Sequence, residues 1–190
     1  MRKLLLYLTV SFIFCSFGNA ATKISLGDLK LKESINNFFS KQEIAEYSYE
    51  GFGYGKNSKY SVLFLYPDQL KDKQYDTITI AFNNKTKKIA YYAGFVEKFK
   101  NLNECVKFRD AQVLKNRKKF LLHKKKTGLS THADKMLQDV VFFGSTRSEA
   151  KFTCDFFEEE RNSRVDFRFD VLTPEFNKWV IELEKTKTVK

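Results

Sequence analysis

The clearest hydrophobic pattern in this chain lies between residues 164 and 171. Val165, Phe167, Phe169 and Val171 alternate there with arginines and aspartates. Strict alternation of apolar and polar residues is typical of a β-strand with one buried and one exposed face. We therefore predict an antiparallel strand that buries its apolar row and exposes its charged row, which consists of Arg164, Asp166, Arg168 and Asp170.

Five further segments have the length and apolar content of strands. They are residues 60–66, 76–82, 88–95, 139–143 and 150–157. The first is apolar on both faces, which favours a central position in a sheet. The next two flank a turn rich in Asn and Lys, so they predict a hairpin. On the second arm of that hairpin we expect one shared face, formed by Ile89, Tyr91, Ala93 and Phe95.

Two helices are predicted before and between these strands. Ser40 and Glu43 have the spacing of a capping box, which predicts a short helix through Tyr47. An Asn at 101 or 103 can cap a long helix from about residue 104 to residue 123. Its helical wheel predicts one apolar face, made of Val106, Val113, Leu114, Phe120 and Leu121.

A last helix is predicted near the end of the chain. Thr173 and Pro174 are well suited to the N-cap and the first turn of a helix. The predicted buried face contains Phe176, Trp179, Val180 and Leu183. The complete order of elements is helix–three strands–helix–three strands–helix. It predicts an α+β fold, with one antiparallel sheet and the helices packed on one side of it.

The first twenty residues predict export. Arg2 and Lys3 precede a run of mostly apolar residues from Leu4 to Phe17, and Gly18-Asn19-Ala20 follows. This is the layout of a secretory signal peptide, and the apolar run is short for a membrane span. We expect a signal peptide at residues 1–20, cleavage near Ala20, a single domain at residues 21–190, and a periplasmic or secreted location. The alternatives are an uncleaved anchor and a buried N-terminal helix.

Two cysteines lie beyond the predicted signal peptide, Cys105 and Cys154. In an oxidising compartment an even pair most simply forms a disulfide. The alternatives are two buried thiols and a redox pair, although no C-x-x-C spacing is present.

Several sequence segments resemble a family of uncharacterised exported proteins from small-genome marine alphaproteobacteria. The resemblance covers nearly all of the chain after the signal peptide, and it implies an exported protein without implying an activity. The order of helices and strands also resembles, in architecture alone, the periplasmic fold of β-lactamase-inhibitor-like and small outer-membrane-assembly proteins. The segments that carry the family resemblance are residues 28–34, 38–44, 103–105, 152–154 and 173–179.

The chain is strongly basic, with a formal net charge of +11. Of its 34 basic residues only seven are Arg. Arg is the residue that nucleic-acid readers prefer, so we expect no nucleic-acid partner. One run without acidic residues forms a candidate patch for anionic envelope components or for another periplasmic protein. Its members are Lys115, Arg117, Lys118, Lys119, Lys124, Lys125 and Lys126. A solvated helix face and codon bias are the alternative explanations.

No catalytic or metal-binding motif is present in the sequence. His123 and His132 lack a second ligand at metal-binding spacing, and no nucleophile elbow occurs. Glu158-Glu159-Glu160 is interpreted as a solvated turn rather than a cation site. The glycines between residues 51 and 55 lack the Lys-Ser/Thr ending of a phosphate loop. We expect neither a catalytic residue nor a cofactor.

The sequence therefore favours an exported soluble protein that acts as a non-enzymatic binding or scaffolding module. Two alternatives stay open. One is an enzyme whose site is assembled from residues distant in the sequence. The other is a basic adapter for anionic envelope surfaces.

Overall fold

The computed structural model describes residues 23–51, 53–55, 57–116, 125–131, 136–144, 148–157 and 164–187. For residues 98, 125–131, 136–139, 142, 186 and 187 it describes the backbone only. Three α-helices and eight β-strands occur in these ranges. The helices are α1 (Lys41–Tyr47), α2 (Leu102–Asn116) and α3 (Pro174–Lys187). The strands are β1 (Ser48–Tyr49), β2 (Tyr60–Leu65), β3 (Thr77–Asn83), β4 (Ile89–Phe99), β5 (Lys125–Thr131), β6 (Met136–Gly144), β7 (Glu149–Phe157) and β8 (Arg164–Leu172).

All eight strands form one antiparallel sheet in the order β1-β2-β3-β4-β8-β7-β6-β5. The sheet consists of two meanders, β1–β4 and β5–β8, which join where β4 pairs with β8. The predicted α+β class and the antiparallel sheet are confirmed. The predicted order of elements is only partly correct, because β1 and β5 add a strand to each half. The predicted central strand β2 lies second from the edge.

One face of the sheet, here called the α2 face, carries the larger hydrophobic core. Helix α2 packs on it, and the disulfide between Cys105 and Cys154 joins α2 to β7 with a Cα–Cα distance of 6.0 Å. Both cysteines are fully buried. The predicted disulfide is therefore present. The inward row of β8, which includes Phe167 and Phe169, lies on this face as predicted. Residues of neighbouring strands lie there with it, among them Ile78, Ile80, Tyr92 and Phe152.

The opposite face, here called the α3 face, is covered by the last helix. Phe176 of α3 packs against Tyr60, Val62 and Leu172 in a separate hydrophobic cluster. Successive residues of a strand point to opposite faces, so Leu172 belongs to this cluster while its neighbour Val171 belongs to the core on the α2 face. The expectation that all helices pack on one side is wrong, because β2, β3, β4 and β8 bury apolar side chains on both faces.

A β-bulge in β4 changes the predicted face of the hairpin. The register shifts so that Ala81 pairs with Tyr91 whereas Phe82 pairs with Ile89. Ile89 therefore belongs to the core under α2, while Tyr91 belongs to the cluster under α3. An extra residue of this kind inverts the alternation of all residues beyond it. The predicted shared face of Ile89 and Tyr91 is wrong for this reason.

The predicted helix starts are confirmed at α1 and α3. The Ser40 Oγ accepts the N–H of Glu43, and the Glu43 carboxylate accepts the N–H of Ser40 at 2.8 Å. The Thr173 Oγ1 accepts the N–H of Phe176. The apolar face predicted for α2 is partly wrong, because Leu114 is 71% exposed. The buried positions of this helix include two polar residues instead, Arg109 and Gln112.

Candidate functional site

The charged row of β8 is exposed only in part: Arg164 is exposed and Arg168 half-buried, but the two aspartates are not exposed as predicted. Asp166 and Asp170 are buried on the α3 face, although they alternate with Arg164 and Arg168 along the strand. Each aspartate is paired with the arginine two residues before it, and Arg168 also lies 4.0 Å from Asp155 of β7. Burial of these carboxylates is tolerable because each has a cationic partner.

Asp170 uses both of its carboxylate oxygens within the protein. Its Oδ1 accepts the hydroxyl of Tyr91 at 2.8 Å, and its Oδ2 accepts the Nε–H of Arg168 at 2.9 Å. The pKa of Arg168 is raised by Asp170 and then by Asp155. Burial, and then the charge of Asp170, hold the pKa of Tyr91 well above its usual value. The phenol therefore stays protonated and donates to the carboxylate.

These groups lie in an open cleft of about 940 Å³ on the α3 face, here called the sheet cleft. Helix α3 forms one wall, and the floor runs across the sheet from β2 to β7. One end of the cleft is mostly apolar and the other is mostly polar or charged. The apolar end is formed by Tyr49, Val62, Phe64, Val180 and Ile181, and the charged end by Lys151, Thr153, Arg168 and Asp170. Glu184 of α3, one turn beyond Val180, and Val140 of β6, opposite Thr153, also line the cleft.

The apolar end of the sheet cleft exposes large hydrophobic side chains. Tyr49 is 46% exposed and Ile181 is 44% exposed. The ring of Tyr49 meets Phe64 edge-on at a centroid distance of 5.3 Å. Single exposed apolar residues are common on proteins, but a group of them in one concavity indicates a binding surface.

The middle of the sheet cleft contains a hydroxyl with unused hydrogen-bonding capacity. Thr79 is only 6% exposed, and its Oγ1 has no partner among the described residues. Thr79 lies between Phe64 and Ala93 in the sheet register. A buried polar atom without a partner lowers stability.

We expect Thr79→Val to raise the free energy of unfolding by about 1 kcal/mol, because it replaces an unpaired hydroxyl with a methyl group of similar size. Urea unfolding measures this change. Ser61→Ala provides the contrast, since the Ser61 hydroxyl donates to Asn84 at 2.8 Å and its loss should destabilise the protein. A destabilised Thr79→Val variant would show that the hydroxyl has a partner in solution.

Comparison of the chain with protein-family models, curated proteins and solved structures finds no match. The function must therefore be argued from the site itself. Neither the family resemblance nor the architectural one gains support from these comparisons.

The structure describes only part of the predicted basic patch. Lys115 is exposed near the end of α2, and the backbone of Lys125 and Lys126 lies in the edge strand β5. The remaining members of the patch, Arg117, Lys118, Lys119 and Lys124, lie outside the described residues. The patch stays a prediction.

Other candidate residues from the sequence also lie outside the described ranges. They are residues 1–20, His123, His132 and the three glutamates at 158–160. In the part of the chain that the structure does describe, no cluster of three or more His, Cys, Asp or Glu side chains could hold a metal ion. None of the helices described is long and apolar enough to cross a membrane.

The glycine-rich connector has a packing role that the sequence did not reveal. Gly53 has a φ of +80°, a conformation that favours glycine. A Cβ at this position would lie 2.7 Å from the side chain of Leu183 on α3. Gly53 thus lets the connector approach α3 closely, beside the aromatic contact between Tyr54 and Trp179 at 5.2 Å.

The residues that line the sheet cleft are not predicted as a site by the sequence. The alternation of β8 predicts an exposed position for Arg168 and Asp170, and no motif marks Lys151 or Thr79. The signal that could have identified them was the arginine–aspartate alternation itself. Such alternation on one strand face places opposite charges side by side and lets the face be buried.

Proposed function

We propose that this protein is an exported, non-enzymatic binding protein that holds a largely apolar small molecule in the sheet cleft. The main support for this proposal is the cleft itself, a concavity of about 940 Å³ with exposed aromatic and aliphatic side chains at one end. Ligand sites are typically concave and mostly apolar, with a few polar groups that orient the ligand.

Binding is a better interpretation of this site than catalysis. The buried carboxylate of Asp170 has both oxygens engaged, and Arg168 is held between two aspartates. A general base or a nucleophile needs a group that is free to take a proton or to attack. These groups hold one another in place, so they support a fixed binding surface.

Export is supported by the disulfide between Cys105 and Cys154, since disulfides persist in oxidising compartments. The predicted signal peptide at residues 1–20 is a second argument for export. An extracytoplasmic binding protein is therefore the function that we propose, and mass spectrometry of the exported chain should find a mature N-terminus near Ala21.

The cleft is tested with Nile red, an uncharged apolar dye whose emission rises in apolar surroundings. We expect wild-type protein to bind it and Ile181→Glu to bind it about tenfold more weakly, because the change places a charge in the apolar end. Leu114→Glu is the matched control. Leu114 is also an exposed aliphatic residue on a helix, but it lies on α2 and does not line the cleft.

Equal weakening by Ile181→Glu and Leu114→Glu would contradict the proposal, because it would show binding to scattered surface patches. Absence of dye binding by the wild type would also contradict it. A wild-type dimer that Ile181→Glu converts to a monomer would show that a second copy covers the cleft, and light scattering measures this outcome.

A further inference from the structure

A row of residues crosses five strands beneath the sheet cleft, and all of them except the fully buried Ala93 line it. The pairing register places Phe64 of β2 opposite Thr79 of β3, and Thr79 opposite Ala93 of β4. Ala93 then faces Asp170 of β8, and Asp170 faces Lys151 of β7. Four strand spacings separate Phe64 from Lys151, or about 19 Å. The row therefore leads from the apolar end of the cleft to the charged end over the length of an extended alkyl chain.

At the charged end, one lining cation, Lys151, makes no ion pair with any residue that the structure describes. Arg168 and Asp170 form an ion pair, and Asp170 also accepts a hydrogen bond from Tyr91. The side-chain ammonium of Lys151 also lines the cleft, but among the described residues it makes no ion pair and no hydrogen bond. The ammonium of Lys151 therefore offers a ligand three N–H donors and a positive charge. An anionic group is the chemical complement of such a set.

The apolar end of the cleft exposes hydrophobic side chains and is complementary to the apolar part of a ligand. Tyr49 and Ile181 are each more than two-fifths exposed to solvent, and Val180 of α3 lies with them along the wall of the cleft. Covering these side chains with an alkyl chain would remove apolar surface from water, which is favourable in proportion to the area covered.

We infer that the ligand of the sheet cleft is an anionic amphiphile of the fatty-acid class. Its carboxylate lies at Lys151, and its alkyl chain follows the row over Asp170 and Ala93 toward Phe64 and Tyr49. This inference rests on the proposed function and adds the charge and the direction of the ligand. The alkyl chain crosses Asp170 without an unpaired charge beneath it, since Arg168 forms an ion pair with that carboxylate and Tyr91 donates a hydrogen bond to it.

The test compares three ligands of the same chain length below their micelle-forming concentrations: dodecanoate, dodecanol and dodecyltrimethylammonium. Displacement of Nile red from the purified protein measures each affinity. We expect dodecanoate to bind about tenfold more tightly than dodecanol, because a charge-assisted hydrogen bond is added. The cationic amphiphile should bind most weakly.

Charge variants then locate the carboxylate. Lys151→Gln should abolish the preference for dodecanoate over dodecanol, and Lys151→Arg should keep it. Lys178→Gln is the matched control, since it removes the same charge from α3, where Lys178 is 80% exposed and lies 3.9 Å from Glu182. It should leave the preference unchanged.

Equal binding of dodecanoate and dodecanol by the wild type would overturn the inference while leaving the proposed function in place. The inference is likewise overturned, and the proposed function kept, if Lys151→Gln still prefers dodecanoate to dodecanol. It is also overturned if the cationic amphiphile binds best. If Lys151→Gln does not fold, the comparison of the three ligands on wild-type protein still decides the sign of the charge. Failure of all three ligands and of Nile red to bind would instead overturn the proposed function.

Discussion

Replacing Cys105 and Cys154 together by Ala is expected to lower the free energy of unfolding by about 4 kcal/mol, the value that loop-closure entropy assigns to a bridge of this span. The two cysteines are 49 residues apart in the sequence, and the bridge fixes α2 to β7. Without it, the unfolded chain regains the freedom of that loop. Urea unfolding of the oxidised wild type and the double variant measures the difference.

Reduction provides the control for this prediction. Dithiothreitol should lower the stability of the wild type to that of the double variant, and it should leave the double variant unchanged. Two reactive thiols at Cys105 and Cys154 in the unfolded, unreduced protein would contradict the disulfide. They would restore the alternative of two buried thiols or a redox pair.

The disulfide was predictable because two different periodicities converge on it. Cys154 lies on the face of β7 that also contains Ala150 and Phe152, and all three are buried as the alternation of the strand predicts. Cys105 lies on the buried side of α2. Helix caps were predictable for a similar reason, since Ser40 and Thr173 act within one turn of the chain.

The side of the sheet on which each helix packs was not predictable in the same way. The apolar face of α3 predicts that the helix packs against the sheet. It does not determine which of the two faces of the sheet the helix covers. The decisive residues are Tyr60, Val62 and Leu172, which are apolar on the face opposite to α2. The strand β2 did signal this, because it is apolar on both faces. The same pattern also fits a central strand, so it does not by itself distinguish the two arrangements.

The edge strand β5 escaped prediction because its sequence does not alternate. Residues 125–131 read Lys-Lys-Thr-Gly-Leu-Ser-Thr, and the two lysines were assigned to a basic patch. Edge strands commonly carry Lys, which discourages pairing with other chains. The position of β5 in the sheet is set by its pairing with β6. No local sequence pattern predicts that pairing.

The sheet cleft was hidden from the sequence because its floor is assembled from distant strands. Phe64 and Lys151 belong to different meanders, and they share a row only because β4 pairs with β8. That pairing joins residues about eighty positions apart, such as Tyr91 and Asp170. The charge alternation of β8 was visible, but its burial depends on the neighbouring strands that supply Asp155 and Tyr91.

Phe176 is the most deeply buried aromatic side chain by which α3 attaches to the sheet. It is 3% exposed, stacks on Tyr91 at a centroid distance of 5.1 Å, and meets Tyr60 edge-on at 5.0 Å. Trp179 was predicted to be buried, and it is only partly so, although it packs against the rings of Tyr60 and Phe176. The main anchor of the helix is therefore Phe176.

Phe176→Ala is accordingly expected to lower the free energy of unfolding by about 3–5 kcal/mol, the usual cost of removing a buried Phe side chain. Trp179→Ala should cost less, because the ring is already partly hydrated. Urea unfolding followed by circular dichroism measures both. Ile181→Ala is the matched control on the same helix, since Ile181 is 44% exposed and should change stability by less than about 1 kcal/mol.

The same substitution tests the link between α3 and the cleft. Helix α3 forms one wall of the sheet cleft, so a Phe176→Ala protein that still folds should bind Nile red more weakly than wild type. The emission of Trp179 should shift toward that of a hydrated indole as the helix loosens. Stability within 1 kcal/mol of the wild type would show that Phe176 does not anchor the helix. Full dye binding by a protein whose Trp179 emission has become water-like would show that the dye does not need this wall.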